Sequence, residues 1–170
     1  MDKELDRLNS LTLADAQAEF LKCCGSTQWA KRMTEARPFA NIEELSLKAD
    51  EIWSSLGEHD WLEAFCAHPK IGERKPAATQ SHQAASWSAQ EQSQAQQAAD
   101  ETKAAIAEGN RVYEDRFGFI FIICASGKSA NEILTALNDR LANDTGMEMR
   151  FAAEEQRKIT QLRLKKLLTM

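Results

Sequence analysis

Proline and glycine are scarce in this sequence, with 3 Pro and 7 Gly among 170 residues. A β-sandwich or barrel turns often and uses both residues to do so, so their scarcity points to long helices. Reactive side chains are few as well: 3 His, 4 Cys and 1 Tyr. Cys23 and Cys24 are neighbours that cannot easily bridge each other, and Cys66 and Cys124 stand alone in apolar surroundings. The expectation is therefore reduced, mostly buried thiols in a cytoplasmic protein. No apolar run approaches the roughly 18–20 residues of a membrane span. Met1-Asp2-Lys3-Glu4-Leu5 holds no apolar signal core, and Leu168-Thr169-Met170 is none of the common retention or peroxisomal addresses. Basic residues are outnumbered 21 to 26 by acidic ones, a net charge of -5. That balance argues against general binding to nucleic acid or to an anionic membrane. A Gly-rich phosphate loop, a Cys-x-x-Cys pair and a His-Glu-x-x-His motif are all missing. Cys66-Ala67-His68 is a possible metal pair without obvious further ligands, so no metal site is expected.

What is present reads as one folded domain over residues 1–170. Hydrophobic residues make up 43% and charged residues 28%, and the length is enough to bury a core without staples. Thr12 is a good N-cap for a helix with Leu13, Ala16, Phe20, Leu21 and Cys24 on one face, stopped by Gly25. A short helix is expected from Gln28 to Ala36, ending before Pro38. Asn41 opens the clearest helix, in which Ile42, Leu45, Ala49, Ile52, Trp53 and Leu56 recur every three or four residues before Gly57. Trp61–Ala67 reads as another short helix. His68-Pro69-Lys70-Ile71-Gly72-Glu73-Arg74-Lys75-Pro76 has no period and reads as a loop. Ser88-x-x-Glu91, Ser129-x-x-Glu132 and Thr145-x-x-Glu148 all have the form of capping boxes. The first predicts a helix from Ser88 to about Phe117, which Gly109 and Asn110 could bend. Phe119–Ala125 is the one strand-like run, but no second strand of similar quality pairs with it. It is read as buried extended chain or a buried helix segment. The fold class expected is an all-α, single-domain bundle.

Several residues could carry chemistry. His68 stands where a helix gives way to a Pro-Gly-charged loop, where an imidazole can exchange a proton near neutral pH. Position alone favours the plainer reading, a helix C-terminal His that meets the last carbonyls. His59 and His82 lie in polar surroundings and are expected to be exposed. Ser88, Glu91 and Gln92 could cap a helix, contact a substrate at its N-terminus, or both. Arg163, between Leu162 and Leu164, could clamp a carboxylate, although composition favours snorkelling to solvent. The run Phe121-Ile122-Ile123-Cys124-Ala125 is core by composition, but unpaired backbone groups there need partners, and a planar amide-rich ligand is one. A Cys/His hydrolase using Cys66 or Cys124, and a non-enzymatic helical interaction module, are the competing readings.

Taken in order, these residues resemble a family. Arg37-Pro38-Phe39, His68-Pro69-Lys70-Ile71-Gly72, Ser88-Ala89-Gln90-Glu91-Gln92, Asn110-x-x-Tyr113-x-x-Arg116-Phe117-Gly118-Phe119 and Ile159-x-x-Leu162-Arg163-Leu164 are similar to motifs of the decarboxylases of 2-oxo-4-hydroxy-4-carboxy-5-ureidoimidazoline (OHCU). Two positions depart from the pattern: Ile120 replaces a common Pro, and Ser126 an Arg found in many members. The resemblance implies decarboxylation of OHCU to (S)-allantoin, the last step from urate, in a homodimer. It also implies that no cofactor is used, because the electron pair left by CO2 can enter the adjacent ring C=N. His68 would then handle the proton, and Glu91 would hold the substrate and orient His68. Pro69, Ser88 and Gln92 would line the pocket, backbone groups across Phe121–Ala125 would bind the amides, and Arg163 would meet the carboxylate.

Overall fold

Side-chain caps written into the sequence start several of the helices. The computed structural model describes residues 3–73, 77 and 79–169. In chain order these form α1 (Lys3–Ser10), α2 (Leu13–Cys23), α3 (Thr27–Glu35), α4 (Ile42–Ser54) and α5 (Glu58–Cys66). There follow α6 (His82–Glu91), a single 3-10 turn (Ala95–Gln97), α7 (Asp100–Phe117), α8 (Ala130–Arg140) and α9 (Thr145–Leu167). No strand occurs among the described residues, and the fold is all-α. Thr12 Oγ1 accepts from Asp15 N at 3.2 Å and Asn41 Oδ1 from Glu44 N at 2.8 Å, as their positions predict. Ser129 and Glu132 form a complete capping box. α7 ends at Gly118, whose φ of +79° only a residue without Cβ adopts cheaply.

Two of the three expected capping boxes do not cap. Ser81 begins α6, its hydroxyl accepting from Ala84 N at 3.2 Å, so Ser88 lies in the last turn and Glu91 is the final helical residue. A cap requires Ser outside helical φ/ψ, and Ser88 is already inside a helix that started seven residues earlier. The chain then breaks, and α7 begins only at Asp100. At the start of α9 the cap is Asp144, whose Oδ1 accepts from Met147 N at 2.8 Å. Thr145 is the first helical residue, and Glu148 turns inward instead of back. α3 starts one residue before its expected start, capped by Ser26, and α5 starts at Glu58. α1 carried no cap signal. α7 runs unbroken through Gly109. A Cβ there would lie 2.5 Å from Leu137 Cδ2, so the glycine lets α8 pack closely.

The chain divides into two compact units, one of residues up to Ala64 with those from Arg157 on, the other Phe65–Gln156. In the first, Phe20, Trp29 and Phe39 pack edge to face, with Phe20 5.9 Å from Trp29 and 6.4 Å from Phe39 between ring centroids. The Arg37-Pro38-Phe39 element is structural here. Arg37 Nη1 donates to Leu8 O at 2.7 Å and Leu11 O at 3.0 Å, closing the C-terminal end of α1. In the second unit Phe65, Tyr113, Phe117, Phe119 and Phe121 form an aromatic cluster with centroid spacings from 4.6 to 6.2 Å.

The expectation of mostly buried thiols needs correction. Cys23 and Cys24 are buried, Cys124 is half-buried and Cys66 is exposed at the end of α5. Burial pushes the Cys23 thiol upward and the Cys24 thiol up to about 12. A thiol whose folded pKa is raised favours the fold in its neutral form. That contribution is complete below the ordinary value of 9.0 and is lost as pH rises from there towards about 12. Native protein at neutral pH should therefore label quickly at Cys66, slowly at Cys124, and at Cys23 and Cys24 only after denaturant is added. Mass spectrometry of a timed maleimide reaction checks this, and labelling of Cys24 at the rate of Cys66 would contradict the burial.

Candidate active site

His68 follows α5 in a turn closed by its own N–H on Phe65 O at 3.1 Å. Its ring reaches α9. Nε2 lies 2.7 Å from Oε1 of Gln156, a side chain buried completely in α9. An amide oxygen only accepts, so this contact is a hydrogen bond in the states where Nε2 carries a proton. The loop after His68 is held at three places. Lys70 pairs with Glu114 at 2.5 Å, Ile71 O accepts from Asn110 Nδ2 at 3.0 Å, and Gly72 N donates to Gln92 Oε1 at 3.0 Å. Gly72 adopts φ +87°, which a side chain would oppose. The hydrogen bond from Lys70 to Glu114 also holds the ammonium above its usual pKa.

The end of α6 adds three buried polar side chains, Ser88, Glu91 and Gln92. Ser88 Oγ accepts from Gln80 Nε2 at 2.6 Å, and Gln92 joins α6 to the His68 loop through Gly72. Pro69 is half-buried beside His68. The run 120–125 contains no helix, turn or bend, so it is extended, and Phe121, Ile122, Ile123 and Ala125 are buried. Protein side chains already satisfy part of its backbone. Arg140 Nη1 donates to Ile122 O at 2.7 Å, with its guanidinium 4.4 Å from the Phe121 ring centroid. Cys124 N donates to Glu155 Oε2 at 2.8 Å, and Ala125 O accepts from Lys128 N at 3.0 Å. Burial first, then the negative charge of Glu155 and less that of Glu91, push the Cys124 thiol up. Arg140 is balanced by the fully buried Glu148, which also accepts from Tyr113 Oη and from Asn143 Nδ2 at 2.9 Å.

Adjacent residues of α9 thus hold both parts of the site, Glu155 the extended run and Gln156 the imidazole. A cavity of about 310 Å³ lies along residues 70–73, Gln92 and one face of α7. Asn110 Oδ1, on that face, is buried without a hydrogen-bond partner among the described residues. Arg163 belongs to the first unit. It is buried instead of snorkelling, donates from Nη1 to Lys22 O at 3.4 Å near the end of α2, and acts on the thiols of Cys23 and Cys24. His59 and His82 are exposed, as expected. Gln156, Glu155, Arg140 and Glu148 were missed by the sequence reading. Gln156 had a signal, because it interrupts the inward stripe Met149, Ala152, Ala153, Ile159 and Leu164.

An all-helical protein with a half-buried imidazole oriented by an amide, a buried carboxylate and an extended backbone edge is equipped for acid–base chemistry on a small polar molecule. The model of the family described as OHCU decarboxylase matches residues 9–165, and the chain belongs to that family. It is 41% identical over 152 residues to a uric acid degradation bifunctional protein of Arabidopsis thaliana, covering 89% of this chain and 47% of that one. It is 34% identical over 145 residues to the 2-oxo-4-hydroxy-4-carboxy-5-ureidoimidazoline decarboxylase of Amia calva, covering 82% of this chain and 79% of that one. The chain thus spans about half the length of the plant relative and, in a Bacillus bifunctional protein, 32%. A crystal structure of OHCU decarboxylase in the presence of (S)-allantoin shares 40% identity and a TM-score of 0.77, over 89% of this chain and 98% of that one. No described helix is long and apolar enough to cross a membrane.

Proposed function

We propose that this chain decarboxylates OHCU to (S)-allantoin and CO2 without a cofactor, with His68 as the acid–base group. The observation that carries this reading is the placement of the His68 ring and the extended run on neighbouring residues of α9, Gln156 and Glu155. In this reading the run 121–125 binds the ureido and ring amides. Glu91 holds polar groups of the substrate and helps orient His68, while Pro69, Ser88 and Gln92 line the pocket. The C–CO2 bond breaks and its electron pair enters the adjacent ring C=N. The ring nitrogen takes up the proton that the hydroxyl loses as the ring carbonyl forms, and the former C=N carbon receives one proton, supplied from solvent through His68, on one face only. The protein contributes orientation and a placed proton, while the substrate supplies the electron sink. A homodimer in the cytoplasm is part of the same proposal, supported by the family resemblance and checked by light scattering of the purified chain.

The reading is tested by generating OHCU from urate in the cuvette and adding the protein. Its absorbance should fall faster than in buffer, and the allantoin formed should be optically active. Racemic allantoin at the buffer rate would end the assignment. Alkylation of Cys66 should leave the rate unchanged, whereas a Cys66 hydrolase would be silenced.

A further inference from the structure

The cavity of about 310 Å³ differs in its lining from the candidate active site. Among the described residues, its wall contains none of His68, Pro69, Ser88, Glu91 and the run 121–125, and it shares only Gln92 with them. The Gln92 amide oxygen is already taken by Gly72 N. Ile71, Ala95 and Ile106 give the wall a buried apolar part. Asn110 stands in the same wall and is 7% exposed. Its Nδ2 donates to Ile71 O at 3.0 Å, and its Oδ1 is buried without a partner among the described residues. A carbonyl only accepts, so the amide cannot be turned over, and the oxygen is the group left unsatisfied. The charged side chains along the cavity cancel, with Lys70, Lys103 and Arg111 set against Glu73, Glu114 and Asp115. Lys70 is paired with Glu114, and Arg111 with Asp115.

We propose that this cavity is a second ligand site, which takes a small uncharged planar ring whose N–H donates to Asn110 Oδ1. The balanced charges favour a neutral molecule over an anion or a cation. Ile71, Ala95 and Ile106 offer an apolar surface to the ring, and a volume at the lower end of ligand pockets suits one ring or two fused rings. The unsatisfied oxygen calls for a donor, and a ring of the same shape without one leaves it buried and unpaired. A lone ordered water would leave most of the volume empty. Occupancy also polarises the Asn110 amide, which strengthens the bond from Nδ2 to Ile71 O in the loop that begins at His68. The site does not depend on the decarboxylase reading.

The test uses indole as the probe and benzofuran, the same shape without the N–H, as its control. Binding is followed by 15N–1H NMR of the Asn110 side-chain amide. The Nδ2 proton bonded to Ile71 should move downfield to saturation with indole, and benzofuran should bind about tenfold more weakly. Ala107 lines the cavity from an exposed position on α7, so Ala107→Phe puts a ring of its own there. That variant should bind indole about tenfold more weakly or worse, with OHCU turnover within about twofold of the wild type. Saturating (S)-allantoin should not displace indole. An Asn110 amide that ignores indole overturns the proposal. So does benzofuran bound as tightly as indole, or unchanged indole affinity in Ala107→Phe. Displacement of indole by (S)-allantoin also overturns it, because the cavity is then part of the substrate pocket. Turnover of OHCU in the same protein keeps the decarboxylase reading intact through each of these results. Indole binding as described in protein without turnover supports the second site and removes the decarboxylase reading instead.

Discussion

His68→Gln should lower the rate of OHCU decarboxylation by roughly 10²- to 10⁴-fold, the usual contribution of a positioned acid–base group. The glutamine amide nitrogen reaches where Nε2 stands and can still donate to the Oε1 of Gln156, so the buried acceptor keeps a partner and the fold should hold. What it cannot do is take up and return a proton near neutral pH. The loss should appear in kcat more than in KM, because the extended run and the polar end of α6 still bind the substrate. Allantoin formed in the presence of the variant should approach the racemate. Far-UV circular dichroism and the thermal midpoint should match the wild type. A variant that keeps activity within threefold would move the proton chemistry to another residue, with Glu91 next in line. The complementary change Gln156→Leu leaves the imidazole present but removes its amide partner, and should cost less than His68→Gln.

Glu148→Ala should be the most destabilising single change in the second unit. Glu148 is fully buried and accepts from Arg140, Tyr113 and Asn143, so its removal strands a guanidinium with a side-chain exposure of 10%. Breaking such a buried pair costs about 3–5 kcal/mol. For a chain of this length each kcal/mol moves the midpoint by roughly 2–4 °C, so the expected fall is roughly 6–20 °C in differential scanning calorimetry. The paired replacement Arg140→Met with Glu148→Leu removes both charges together. It should recover much of that stability, because neither charge is then left without its counterpart. It should not recover binding, since the Ile122 carbonyl has lost its donor. A double variant as unstable as Glu148→Ala would show that packing, not charge balance, dominates at this position.

The helices were largely readable from local chemistry. Thr12, Asn41 and Ser129 lie beside the turns they cap, and the apolar spacing in α4 marks its buried face without reference to the rest of the chain. The same local rule misplaced the start of α6. Ser88-x-x-Glu91 has the letters of a capping box, but helix formation propagates from wherever it first nucleates, and Ser81 nucleates it earlier. At α9 the adjacent Asp144 took the cap from Thr145, which released Glu148 to face Arg140. The Phe119–Ala125 run was correctly read as a buried segment without a sheet partner, because one strand cannot make a ladder.

By itself, then, the sequence determined an all-helical chain, the loop that begins at His68, the buried run at 119–125 and the family to which they belong. All of these depend on spacing, capping and composition, which act over a few residues. Only the tertiary structure decided who partners whom: Gln156 on His68, Arg140 and Glu155 on the two peptides flanking Ile123, Arg163 at the end of α2, and Glu148 at the centre of a buried network. These pairs join residues separated by 8 to 141 positions, most of them on different elements. Helical periodicity states which face turns inward, but a buried polar group finds its partner only when packing brings a second element against it.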